Sequence, residues 1–161
     1  MNKSFSAFLI LFSLSAIAVA QSKKEVKDNK IKSTTETVTA VENGKEINYK
    51  DSYIAYDKNG NITEQTDYNK DGTVKKKLVM KYDNFKNKTE ELEYEGAVLK
   101  QKRLFSYNAS GDKTIEATFD GAGKLVKKET YTYNSKGLRT EKKVYNASNV
   151  LVETHKYTYG Q

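Results

Sequence analysis

Cysteine, proline and tryptophan are absent from the 161 residues, and histidine occurs once. Without cysteine there is no disulfide scaffold, no Cys or Cys/His zinc site and no thiol nucleophile. A lone His leaves no second imidazole for a His-based catalytic or metal set. Apolar residues are also scarce, at 37%, and the mean hydropathy is −0.80, low for a chain with a core enclosed on both sides. What is present instead is 12 Tyr, 28 Lys+Arg and 21 Asp+Glu, with a formal net charge of +7. The length suits one domain.

Residues 1–20 read as a secretory signal peptide. Met1-Asn2-Lys3 is a short positive start, Phe5 to Val19 is an apolar run broken only by Ser, and Ala18-Val19-Ala20 fits the small-x-small cleavage rule. The apolar run is shorter than the ~20 residues a membrane-spanning helix needs. Cleavage after Ala20 would leave a secreted or periplasmic chain that does not span a membrane. Residues 21–36 are nearly all polar and without period, and read as a solvated leader or tether, with the repeat domain spanning 37–161.

Beyond the leader the sequence repeats. Tyr56, Tyr82, Tyr107, Tyr133 and Tyr159 recur at intervals of 26, 25, 26 and 26 residues, and Tyr68, Tyr94, Phe119 and Tyr145 each follow 12 residues later. The half-repeat is therefore one strand plus one turn. Tyr56-Asp-Lys-Asn-Gly60, Tyr68-Asn-Lys-Asp-Gly72, Tyr107-Asn-Ala-Ser-Gly111, Phe119-Asp-Gly-Ala-Gly123 and Tyr133-Asn-Ser-Lys-Gly137 share one pattern. An aromatic ends a strand, Asp or Asn opens a type I turn, and Gly takes the left-handed position of a bulge. Tyr82-Asp-Asn-Phe-Lys86 lacks the Gly, Tyr94-Glu-Gly96 is one residue short, and Val41-Glu-Asn-Gly-Lys45 reads as a first, irregular turn. The segments between turns alternate and are rich in Thr, Tyr, Val and Leu, and no stretch has a helical period. The expected fold is all-β: an antiparallel meander of about ten strands built from 26-residue hairpin repeats, as a single-layer twisted sheet or curled strip. Closure into an up-and-down barrel is the alternative.

Turn type sets register. Tyr56 is expected opposite Ile62, Tyr68 opposite Val74, Phe119 opposite Leu125, Tyr145 opposite Leu151, Tyr107 opposite Lys113 and Tyr133 opposite Arg139. The last two pairs suit cation–π contact. Ile54, Met80, Phe105, Tyr131 and Tyr157 fall on the face of the first Tyr column, joined there by Glu64, Glu90 and Glu141. Lys75, Lys77, Lys81, Lys100, Lys102 and Lys128 are expected on a second, charged face, with Thr63, Thr89, Thr114, Thr140, Glu91, Glu93 and Glu116. Neither face offers the continuous apolar band of an outer-membrane barrel.

The recurring Tyr-Asp/Asn-x-x-Gly element, strongest at Tyr56-Asp-Lys-Asn-Gly-Asn61 and repeated at Tyr68, Tyr107 and Tyr133, resembles the YD-repeat, or RHS-repeat, family over residues 45–160. The resemblance implies consecutive β-hairpins forming a strip. In large members such strips spiral into a shell around a toxin, and some members are thought to bind carbohydrate at cell surfaces. This chain has about four and a half such hairpins, and the family supplies no catalytic residues to carry over.

Several constellations invite a chemical reading. Asp67-Tyr-Asn69-Lys-Asp71-Gly72-Thr-Val74 matches the first eight positions of an EF-hand loop, but position twelve is Leu78 and no helices flank it, so a hairpin turn is the better reading. His155 sits on a strand where other repeats carry Leu78, Arg103 and Glu129, as expected of a surface residue. Glu64, Glu90 and Glu141 recur as a repeat consensus rather than as the acid pair of a glycosidase. The sequons at Asn61, Asn87, Asn108 and Asn146 fall in or beside turns, where Asn is expected in any case. The sharpest candidates are Tyr56, Tyr82, Tyr107, Tyr133 and Tyr159, with Lys113 and Arg139 beside them. On alternate strands these rings would recur every ~9.6 Å, near the length of a disaccharide. The expected function is non-enzymatic and cofactor-free: a binding or structural role toward an acidic or neutral polysaccharide, a protein partner, or a second copy through the aromatic face. No nucleic-acid partner is expected, because the Lys residues are diluted by Glu. The alternative is a component or remnant of a YD-repeat toxin or immunity system.

Overall fold

The structure, a computed structural model, describes residues 22–160, so the expected signal peptide lies outside the described residues. Ten strands follow a short helix, α1 (Lys23–Asp28): β1 (Ser33–Glu42), β2 (Lys45–Tyr56), β3 (Ile62–Tyr68), β4 (Val74–Tyr82), β5 (Lys88–Glu95), β6 (Val98–Tyr107), β7 (Lys113–Asp120), β8 (Leu125–Tyr133), β9 (Arg139–Asn146) and β10 (Leu151–Lys156). They form one sheet whose spatial order is the chain order, each strand antiparallel to the next. Strands β1 and β10 are its edges, so the sheet is an open meander and not a barrel.

Most of the turns explain why Asp and Asn interchange at the position after the aromatic. At the β2–β3 turn the Asp57 amide donates to the Asn61 carbonyl (2.9 Å), and the Gly60 amide donates to the Asp57 carbonyl (3.0 Å). Asp57 Oδ1 then accepts from the backbone N–H groups of Asn59 (2.8 Å) and Asn61 (2.9 Å). Asp83, Asn108, Asp120, Asn134 and Asn146 repeat this pattern with the same oxygen, which both residue types possess. Lys86 and Asn149 occupy the place of the glycine with φ of +70° and +59°. The first turn is regular rather than irregular. Asn43 and Gly44, at φ +51° and +74°, make a two-residue turn between paired Glu42 and Lys45, the geometry that Asn-Gly favours in hairpins.

All six expected aromatic pairings are present, from Tyr56 opposite Ile62 to Tyr145 opposite Leu151. The faces differ from expectation, because each four-residue turn inserts one unpaired residue after it. Tyr56 faces Ile62 but Ala55 faces Glu64, so Thr63 is a bulge; Thr89, Thr114 and Thr140 occupy the same place in later hairpins. The bulge inverts the parity of the strand beyond it. Glu64, Glu90 and Glu141 therefore lie opposite Ala55, Lys81 and Thr132, away from the Tyr column. Glu91 and Glu116 take their place on the Tyr face, opposite Met80 and Phe105. Nor is the other face simply charged, since it carries Tyr53, Val79, Leu92, Leu104, Tyr68, Tyr94, Phe119 and Tyr145 as well as lysines.

Packing is thin. Among the described residues the buried apolar side chains are Val26, Ile54 and Tyr131, while Thr66, Thr118, Glu91 and Glu129 are buried polar ones. Stability rests on the backbone ladder and on cross-strand pairs of roughly 0.2–1 kcal/mol each. Residues 22–36, expected as a solvated leader or tether, are mostly exposed and hold a short helix and the start of a strand. Ser22 and Glu25 make a reciprocal capping box for α1, and Val26 is 1% exposed, while β1 begins at Ser33. Six residues are fewer than two turns, too few to display a period.

Candidate functional site

The first Tyr column stands at the turn end of one face, but its geometry is not a set of free rings. Tyr82 Oη donates to the Ile62 carbonyl (2.9 Å), Tyr107 Oη to Lys88 (2.8 Å), Tyr133 Oη to Lys113 (2.7 Å) and Tyr159 Oη to Arg139 (2.7 Å). Each acceptor is the residue that begins the second strand of the preceding hairpin. Each ring thus leans back over the neighbouring bulge and secures the carbonyl next to it. Tyr56, with no earlier hairpin to lean on, is tied through its backbone N–H to the Lys32 carbonyl (2.9 Å) and stands beside α1.

Stagger moves the rings apart as well. Ile54 pairs with Gln65, which pairs with Leu78, whereas the repeat equivalent of Ile54 is Met80. Phe105, Glu116 and Glu129 show the same offset relative to Tyr131. Equivalent residues therefore step two positions per hairpin. Two strand spacings combined with two residues of rise put successive column positions about 12 Å apart rather than ~9.6 Å.

Cations alternate with the rings. Lys88, Lys113 and Arg139 lie opposite Tyr82, Tyr107 and Tyr133. The Lys88 ammonium is 5.1 Å from the Phe105 ring, and that of Lys113 is 5.6 Å from Phe105 and 4.8 Å from Tyr131. The Arg139 guanidinium is 4.5 Å from Tyr131 and 5.9 Å from both Tyr133 and Tyr157. Lys113 thus faces Tyr107 in register yet lies over its neighbours. Lys88 belongs to the row although sequence reasoning does not single it out; its place two residues after the Asn-bearing turn, matching Lys113 and Arg139, is the available signal.

The cations differ in partners. Lys88 Nζ lies 2.5 Å from Glu91 and Lys113 Nζ lies 2.5 Å from Glu116, both three residues along the chain. The corresponding residue after Arg139 is Lys142, and Arg139 Nε is buried with no hydrogen-bond partner among the described residues. Burial would raise the Glu91 carboxyl, but the Lys88 hydrogen bond and the charges of Lys88 and Arg103 outweigh it and hold it below the usual range. Glu129 is likewise held low against burial by Tyr131, Lys127 and Lys142. A general acid at neutral pH needs the opposite shift. Burial and Glu129 push the Tyr131 phenol up.

Two open hollows flank the row. One, of about 550 Å³, is bounded by Lys23, Tyr56, Met80, Tyr82, Lys88 and Tyr107. The other, of about 590 Å³, is bounded by Asn108, Asp112, Thr114, Tyr131 and Tyr133. The structure thus brings Tyr56, Tyr82 and Tyr107 to one hollow and Tyr133 to the next, while Tyr159 stands half exposed beyond the last strand.

In the EF-hand-like segment, Asp71 Oδ1 accepts from the Thr73 backbone N–H (2.9 Å) and hydroxyl (2.5 Å), completing the β3–β4 turn. Among the described residues no group of three His, Cys, Asp or Glu is placed to hold a metal ion. His155 is exposed, with Nε2 3.0 Å from Glu153. No helix among the described residues is long and apolar enough to cross a membrane.

No protein-family model and no curated protein matches this chain. Among solved structures, a Bacteroides fragilis protein of unknown function matches 81% of this chain and 96% of its own, at 16% identity and a TM-score of 0.42. TarM matches 83% of this chain at 14% identity and a TM-score of 0.32, and the match spans only 22% of TarM. A mutant of S. aureus TarM, in complex with fondaparinux, α-GlcNAc-glycerol and UDP, matches at 12% identity and a TM-score of 0.32 over 23% of its chain.

Proposed function

We propose that this is a non-enzymatic β-hairpin repeat protein of the YD type, secreted or periplasmic, that binds an extended polymer along its tyrosine row, a cell-envelope polysaccharide before a protein partner. The observation that carries the reading is the alternation of Tyr82, Lys88, Tyr107, Lys113, Tyr133 and Arg139 along one margin of the sheet, with hollows beside it. Ring faces offer stacking to sugar or peptide, and the cations favour an acidic chain. Because the hydroxyls are engaged by backbone carbonyls, recognition uses ring surface and cations, not the phenol groups. The rings are also pre-organised, so binding orders few side chains.

Binding of the purified protein to neutral and acidic polysaccharides, at low and high salt, tests the reading. Saturable binding is expected, retained by Tyr107→Phe and Tyr133→Phe, which keep the ring, and lost in the corresponding Ala variants. Absence of saturable binding across the panel would sink the polysaccharide reading. So would Ala variants that stay folded and bind like the parent protein.

A further inference from the structure

We propose that the hollow between α1 and the end of β2 is a separate binding site for a soluble single-chain amphiphile with an anionic head, a fatty carboxylate or an alkyl phosphate. The hollow has a volume of about 590 Å³ and is lined by Val26, Ile31, Tyr56 and Asp57 together with Lys27, Lys30, Lys32 and Lys58. That volume falls within the roughly 300–1,000 Å³ of small-molecule sites. Its lining has two parts: Ile31 and the Tyr56 ring with the buried Val26 behind them, and four lysine side chains.

The charge here is gathered around one hollow. Several lysines along the strands are answered by carboxylates: Lys77 reaches Glu64 at 2.9 Å, Lys81 reaches Glu90 at 2.7 Å and Lys143 reaches Glu141 at 2.7 Å. Among the described residues none of Lys27, Lys30, Lys32 and Lys58 has a carboxylate within ion-pair distance; the acidic residue in the lining is Asp57. Its oxygens are already committed: Oδ1 accepts from the Asn59 and Asn61 amides, and Oδ2 from Asn61 Nδ2 at 2.8 Å. An anionic head entering the hollow would meet ammonium groups without competing with a resident carboxylate, and charge-assisted hydrogen bonds of this kind are the strong ones.

The walls are also held in place. The Ile31 amide donates to the Val26 carbonyl (2.9 Å) and the Tyr56 amide to the Lys32 carbonyl (2.9 Å). A Cβ at Gly60 would stand 2.6 Å from the Lys23 carbonyl oxygen, so helix and turn are in direct contact. A preformed apolar hollow with lysines in its lining suits a ligand with both a tail and a negative head. The head alone would lack the apolar contact, and a neutral head would leave the lysines unanswered. The site shares Tyr56 with the tyrosine row but does not depend on polymer binding there.

Calorimetric titration of the full chain with decyl phosphate below its aggregation concentration provides the test, beside decyl glucoside, inorganic phosphate and phosphatidylglycerol vesicles. The structure predicts saturable one-to-one binding of decyl phosphate, weakened roughly tenfold or more by the paired substitution Lys30→Glu and Lys58→Glu. Both lysines are exposed, and circular dichroism verifies that the variant retains the sheet. Decyl glucoside binding as tightly as decyl phosphate would overturn the proposal, as would a folded variant with undiminished affinity. Response to vesicles or inorganic phosphate without response to the free amphiphile, or no saturable binding at all, would overturn it too.

Discussion

Asp57 and its counterparts act through one atom, a side-chain oxygen that accepts two backbone N–H groups across the turn. Asp57→Asn retains that oxygen but loses the charge and the second oxygen that accepts from Asn61 Nδ2, so it should lower the melting temperature at neutral pH, though by less than Asp57→Ala. Asp57→Ala should cost about 1 kcal/mol in urea denaturation. The carboxyls of Asp57, Asp83 and Glu91 are all held below their ordinary values; for each, burial alone would raise it and hydrogen bonds prevail. A depressed carboxyl contributes stability that is fully present above its unfolded value and is lost as pH falls through its folded value. Denaturation midpoints should therefore be level above the Glu reference of 4.5 and fall steadily below it, and Glu91→Gln should flatten that decline. The Tyr column adds a second residue-scale expectation. Tyr107→Phe removes the bond to the Lys88 carbonyl and should cost about 0.5–1.5 kcal/mol. The spacing of these tyrosines is legible in the sequence. The destination of their hydroxyls is not, because it depends on a neighbouring hairpin about twenty residues away.

Hairpins are the elements of this fold, and each carries its own signal for turn and register. The interval from aromatic to glycine specifies a four-residue loop, and the pairings Tyr107–Lys113 and Tyr133–Arg139 follow from it. The β4–β5 turn departs by placing Lys86 at φ +70°. Lys86→Gly should raise stability by about 1 kcal/mol, since a left-handed backbone costs a side-chain-bearing residue that much. Gly60 and Gly72 separate turn strain from packing. Both have positive φ, but a Cβ at Gly72 meets nothing within 4 Å whereas one at Gly60 meets the Lys23 carbonyl. Gly72→Ala should cost about 1–2 kcal/mol, and Gly60→Ala more, with loss of protection at the α1 amides by hydrogen exchange. Helix α1 itself is hidden in composition. Its one apolar anchor, Val26, stands among charged residues, and only its contact with the first hairpin makes the segment worth ordering.

As a whole molecule the protein is a strip in which the strands pack chiefly on their neighbours, so stability should be graded along it rather than uniform. Native-state hydrogen exchange should find β5 to β8 slowest and β10 fastest, since β10 is an edge with all six residues exposed. Equal protection throughout would mean that the strip folds as one cooperative block. By itself the sequence determined the strand count, the meander and the cross-strand partners of the aromatics, because turn chemistry and a period of two act locally. Only the tertiary structure decided which face each later residue occupies, how far the tyrosines stand apart and what their hydroxyls hold. One bulge residue per turn reverses parity, and the offset between hairpins accumulates from strand to strand. Both effects exist only once neighbouring hairpins are hydrogen-bonded side by side.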